Sequence, residues 1–218
     1  TSMDVEDEED LLPIVVPISD YLTFIPEGHK KNDPKPTFAD IPESLKTAIK
    51  SFILTCAIRI ARGQENKHNS MLIHVSRYQL WQNEIKELVA QQFSYYKQEI
   101  EANDSSVLSE FQDLLENDYT ETTNNIKNSS LSNIDHCLQV HQWEDIKPLL
   151  FKVVQKIEVK SINGSSGDIV DYQLNSKNGV SVIAIGGDKL SRGLTLEGLS
   201  ISYFLRASKM YDTLMQMG

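Results

Sequence analysis

The chain has 218 residues, 40% of them hydrophobic, and 31 acids against 21 bases give a formal net charge of −10. Such a chain can bury a substantial core, while its longest apolar runs, such as Phe52 to Ile58, fall far short of the ~20 residues a membrane span needs. The acidic opening TSMDVEDEED has no basic region followed by an apolar one, which argues against a secretory signal, and Cys56 and Cys137 lack CxxC spacing, which predicts a reducing, cytoplasmic setting without disulfide framework or zinc knuckle.

The acidity is segregated along the chain. Residues 1–10 hold six acids and no base, and residues 99–145 hold eleven acids and one base, Lys127. Glu43 to Gln98 instead holds eight bases against four acids, and Ser181 to Gly218 holds four bases against three acids. Net charge alone disfavours nucleic acid, yet a phosphate-facing surface stays open on these two segments, beside the plainer reading of a solvated acidic protein.

In chain order, residues 1–40 read as an acidic tail and linker: LLPIVVP is a short apolar run bounded by prolines, and EGHKKNDPKPTFADIP is a loop. Leu45, Ile49, Phe52, Ile53, Cys56 and Ile60 follow helical spacing, with Pro42 and Glu43 at the start and Gly63 at the stop. MLIHVS (71–76) predicts a buried strand, and Trp81, Ile85, Leu88 and Val89 a helix directly after it. A third helix is expected over 104–118, and TETTNNIKNSSLSN, polar and weakly patterned, predicts a mobile stretch. Together, about 100–140 reads as a mostly helical acidic insertion.

Order resumes with a helix over Trp143, Ile146, Leu150 and Val153, then a strand KIEVKSI, a turn NGSSG and a strand DIVDYQL. VSVIAIG (180–186) is continuously apolar, as a central parallel strand with helices on both faces should be, and LSISYFL is another strand. Met210, Leu214 and Met217 repeat at helical spacing behind Ser208, a suitable N-cap. Strands alternating with helices predict an α/β open sheet, whose ligand site lies at the carboxyl ends of its strands.

That rule points to GGDKLSRGLTLEGL, which begins where VSVIAI ends. Gly186 and Gly187 permit close backbone approach, and Lys189, Ser191 and Arg192 offer donors suited to phosphate oxygens. No GxxxxGK[ST] or GxGxxG occurs in the chain. On residue chemistry, a tight structural turn and a ligand loop stand level.

The stretch VIAIGGDKLSRGLTLEGLSISYFLR...YDTLMQMG, with SLKTAIKSFILTCAIRIARG and HNSMLIHVSR upstream, closely resembles the Z-one domain, a bacterial family labelled a candidate endonuclease. That family in turn resembles the second RecA-like lobe of superfamily two helicases. The resemblance implies a RecA-like, P-loop NTPase-type parallel sheet over 41–218. It places GGDKLSRGLTLEGL at helicase motif V and DTLMQMG at the opening of motif VI, so the chain reads as a fragment that stops just before its arginine finger. By the same resemblance, Gly193, Thr195, Gln216 and Gly218 belong to the nucleotide cleft, with Thr195 standing where many helicases carry an acid. Lys189, Ser191, Arg192, Ser76 and Arg77 fall where the nucleic-acid backbone is contacted. For Ser76 a plain N-cap is the favoured alternative. The implied parent uses ATP and magnesium and acts on DNA through a Walker-bearing lobe missing here, so the fragment alone is expected to bind neither cofactor and to be inactive.

Two other readings follow from the residues. Asp145, Glu158 and Lys160 carry the spacing of a magnesium-dependent nuclease, although KIEVK also fits the exposed face of a strand. His136, Cys137 and His141 are metal-type ligands with no fourth partner in the sequence, so no metal site is expected. A non-catalytic interaction module that keeps the helicase fold is the remaining alternative to the motor lobe.

Overall fold

Pro42, fixed at φ −64°, opens the first helix, α1 (Glu43–Ala61), but offers no side chain to cap it. The cap comes from 24 residues upstream, where the Asp20 carboxylate accepts both the backbone N–H of Ser44, at 2.9 Å, and its hydroxyl. At the other end Gly63 takes φ +74°. Its N–H reaches the Ile60 carbonyl and that of Gln64 the Arg59 carbonyl, both under 3 Å, the paired bonds of a left-handed helix stop. The structure, a computed structural model, describes residues 14–26, 30–31, 40–76, 78–129, 138–162, 172, 174–186 and 195–205.

The second helix, α2 (Gln79–Glu101), ends the same way, with Asn103 at φ 55° in place of glycine. The next residue, Asp104, then caps α3 (Ser105–Leu114) by accepting from the N–H groups of Ser106 and Val107. A single π-helical turn, Leu115–Tyr119, leads into α4 (Thr120–Lys127). The first part of TETTNNIKNSSLSN is therefore helical. A local and a tertiary bond outweigh the weak pattern: the Thr120 hydroxyl donates to the Leu115 carbonyl five residues back, and Tyr119 reaches across to α1, where it donates to the Ser51 carbonyl at 2.8 Å. Within the acidic stretch Val107, Leu108, Phe111 and Leu115 are buried in the main core. After 130–137, α5 (Trp143–Lys156) runs directly into the sheet.

Four strands, β1 (Asn69–His74), β2 (Ile157–Ile162), β3 (Ser181–Gly186) and β4 (Leu199–Phe204), form one sheet in the order β2-β3-β1-β4, and every pairing is parallel. The central β1 is buried along its whole length, whereas the edge strand β2 is buried only at its two ends. Side-chain alternation splits the sheet into two faces. Met71, Ile73, Ile183, Ile185 and Tyr203 meet the buried side chains of the helices. Leu72, Ile162, Val182 and Ala184 meet Tyr172 and Leu196 in a smaller cluster. Helices on both faces were expected from the apolar run of β3, but among the described residues the buried apolar side chains of helices all join the larger core. Of DIVDYQL, Tyr172 and Leu174 lie in turns. The rest of that expected strand, the NGSSG turn and the helix after Ser208 lie outside the described residues.

Candidate functional site

All four strands point the same way, so their carboxyl ends share one edge of the sheet. At that edge β1 delivers His74, buried and stacked on Phe204 of β4 with ring centroids 4.6 Å apart, while its carbonyl accepts from the Leu205 N–H. Val75 and Ser76 follow, both buried. Ser76 is not the N-cap of α2, which is Tyr78. Its hydroxyl instead accepts the Tyr78 N–H at 3.1 Å, and its carbonyl accepts the buried Gln82 side-chain amide at 2.9 Å. These bonds fold the chain into a tight turn between strand and helix. Arg77 lies outside the described residues.

Beside β1, β3 ends at Gly186, where the motif GGDKLSRGLTLEGL begins. Lys189, Ser191, Arg192 and Gly193 lie outside the described residues, as do Gln216 and Gly218. Thr195 is described and exposed, and the next residue, Leu196, is buried against the second face of the sheet. Since β3 and β4 flank β1, the segment 187–198 is the crossover that connects the carboxyl end of β3 to the start of β4, and of it residues 195–198 are described.

The far end of this crossover is bound tightly to the opening of β1. The Ser70 N–H donates to the Gly198 carbonyl at 2.9 Å, and the Ser70 hydroxyl donates to the Glu197 carbonyl at 2.8 Å. With its one proton so used, Ser70 accepts from the Tyr172 hydroxyl, also at 2.8 Å. Burial raises the Tyr172 pKa, which keeps that phenol protonated as a donor. His68 Nδ1 accepts the Val180 N–H at 3.1 Å, which leaves the ring proton on Nε2, 3.7 Å from a Glu197 carboxylate oxygen. Gly198 sits at φ +68°, and a Cβ built there would lie 1.9 Å from the His68 carbonyl oxygen. No side chain fits.

Thr195 lies three residues before Gly198, at the foot of β1, whereas Ser76 lies beyond its far end. Ser76 follows Ser70 by six positions, the first four of them in β1, so extended backbone puts the two on the order of 20 Å apart. The structure therefore does not bring Thr195 and Ser76 into one contact; it places them at the two ends of a central strand. Sequence reasoning missed His68, Ser70 and Tyr172, which hold the crossover. Only the glycine of LEGL hinted at so close an approach.

The nuclease triad is not assembled. Lys160 and Glu158 pair with each other at 2.6 Å on the sheet face opposite the helices. Asp145 occupies the first turn of α5, most of a helix length away. His141 is half-buried near Gln139, its pKa lowered by burial and by nearby Arg62; His136 and Cys137 lie outside the described residues. Among the described residues no group of three His, Cys, Asp or Glu side chains converges on a metal position, and no helix is long and apolar enough to cross a membrane.

A match to the Z1 domain family covers residues 44–218, from the first turn of α1 onward. The chain belongs to the Z1 domain family. No curated protein and no solved structure matches the chain. The Z1 match includes all four strands and the whole crossover, while the Asp20 cap of α1 lies outside it.

Proposed function

We propose that this Z1 domain is a RecA-like second lobe of an ATP-driven DNA helicase or translocase, within a candidate endonuclease or defence system. One observation carries the reading: the motif crossover starts at the carboxyl end of central strand β3, beside the Ser76 turn that ends central strand β1. Adjacent carboxyl ends in a parallel sheet are where such folds hold phosphate-bearing ligands. Lys189, Ser191 and Arg192 would follow a nucleic-acid backbone there, with Arg77 beside them. In this reading Gly193, Gln216 and Gly218 would line the nucleotide cleft, while Thr195, exposed towards the foot of β1, lies away from the carboxyl-end edge and adds no support for the ribose contact.

The described residues offer no cluster of acids for magnesium, so in this reading the metal and the phosphates belong to a Walker-bearing lobe. Bound nucleotide would supply the energy that closes and opens the two lobes. The competing reading, a non-catalytic interaction module, draws on the −10 charge of 99–145.

Fluorescence anisotropy with labelled DNA distinguishes them. Binding should be independent of sequence, and its log–log salt slope should fall by about 2 in Lys189→Ala/Arg192→Ala but stay unchanged in Lys67→Ala. Equal affinity and slope in all three proteins would remove the DNA role. The chain alone should neither hydrolyse ATP nor nick DNA; magnesium-dependent nicking lost in both Glu158→Ala and Lys160→Ala would establish the nuclease reading instead.

A further inference from the structure

A cavity of about 710 Å³ runs along the outer side of β4 and is closed by α1, by the π turn with α4 and by residues 14–20. Ser200, Ile201, Ser202 and Tyr203 all border it, although alternate side chains of a strand point to opposite faces of the sheet. The cavity therefore meets the backbone edge of β4 and not one face alone.

β4 has one partner strand, β1, in the order β2-β3-β1-β4. Leu205 turns its N–H inward to the His74 carbonyl, so by alternation Ser202 and Phe204 turn their N–H and C=O groups outward. Among the described residues none bonds to these outward groups. The two outer strands of the sheet also differ in protection. β2 carries the Glu158–Lys160 ion pair, the kind of charge that keeps an edge from pairing, whereas β4, LSISYF, carries no charge. Across the cavity, Ile14 and Val16 are exposed, Val16 at 72%.

A strand laid against this edge would alternate as well. Every second side chain would extend the row Ile183, Met71, Ile201 and enter the cavity among Val16, Ala48 and Ile126. The side chains between them would extend the row of Leu72 and exposed Ser202, and stand in water. The fitting occupant is thus an extended segment with apolar and uncharged polar residues in alternation. A second copy of this chain cannot offer its own β4 here, because that strand is fenced by the same α1, α4 and residues 14–20.

We propose that the open edge of β4 binds such a segment of another polypeptide as a fifth strand, held by backbone hydrogen bonds to Ser202 and Phe204. Fluorescence anisotropy of the 218-residue chain with a labelled hexapeptide of alternating threonine and valine, carrying a Gly-Ser tail for solubility, tests this. The expected result is saturable one-to-one binding, at least about tenfold tighter than that of the same peptide N-methylated throughout, which keeps the side chains and loses every N–H. Ser202→Pro should weaken binding at least about tenfold, since it removes an outward N–H and leaves the bonds to β1 in place. Val16→Asp, at an exposed wall position, should weaken binding at least about threefold by setting a charge against the added strand. Melting curves confirm that each variant is folded, and Val16→Asp decides the matter if Ser202→Pro is not. Absence of saturable binding, equal affinity for the N-methylated peptide, or unchanged affinity in the folded variants overturns the proposal. So does a dimer of the free chain, seen by light scattering and lost in Ser202→Pro, which would give the edge to a second copy.

Discussion

Replacing Gly198 by alanine should destabilise the chain far more than replacing Gly63, although both glycines have positive φ, +68° and +74°. Alanine in the left-handed region costs roughly 1–2 kcal/mol at either site. At Gly63 nothing lies within 4 Å of the added Cβ, so that is the whole cost. At Gly198 the added Cβ lies 1.9 Å from the His68 carbonyl oxygen and 2.6 Å from its carbon. These are backbone atoms at the start of a central strand and cannot rotate away. Relief requires the 197–198 turn to lift, which breaks the Ser70 bonds to the Glu197 and Gly198 carbonyls at roughly 1 kcal/mol each. Gly198→Ala should therefore cost about 3–4 kcal/mol, a large share of the ~5–15 kcal/mol that keeps a domain folded. Urea unfolding followed by far-ultraviolet circular dichroism, with slopes compared to ensure two-state behaviour, measures the difference. Equal costs within about 0.5 kcal/mol would show that the crossover does not press on β1 and that this glycine serves only the turn.

Asp20→Asn should lower stability by about 1 kcal/mol, because the amide keeps only one of the two oxygens that accept from Ser44 and removes the negative charge at the start of α1. Burial raises the Asp20 pKa, but the bonds from Ser44 outweigh it and hold it below 3.8, so the advantage of the native chain should be full above pH 3.8 and fade as pH falls through the folded value. Phe111→Ala, emptying a fully buried site in the acidic stretch, should cost about 3–5 kcal/mol, while exposed Glu121→Ala should cost next to nothing; equal costs in thermal unfolding would show that the stretch adds nothing to the core. In a Cys137→Ser background, Cys56 should resist a thiol reagent until the chain unfolds, because burial pushes its pKa up to about 12; rapid native-state labelling would contradict its place in the core.

Much of this architecture was legible because it is local. Gly63 and helical spacing bounded α1 to within a residue or two, and the apolar runs MLIH and SVIAIG marked the two central strands, since only strands covered on both faces stay apolar at every position. What escaped depends on residues far apart in the chain. A cap supplied by Asp20 to Ser44 leaves no trace in the spacing around Pro42, and weak polar patterning could not reveal that Tyr119 would fasten α4 to α1. The candidate site divides along the same line. Its loop was readable as Gly, Lys, Ser and Arg at the end of a strand, but its foundation is His68, Ser70 and Tyr172, brought together from segments far apart in the chain. This division affects how glycines in the motif are read. Gly198 belongs to the same stretch as Lys189 and Arg192, yet backbone packing alone accounts for it, with no ligand required. Loss of DNA binding on substituting Gly198 would therefore not identify a contact residue; only substitutions of the cationic side chains, made on a crossover that is still anchored at its foot, can do that.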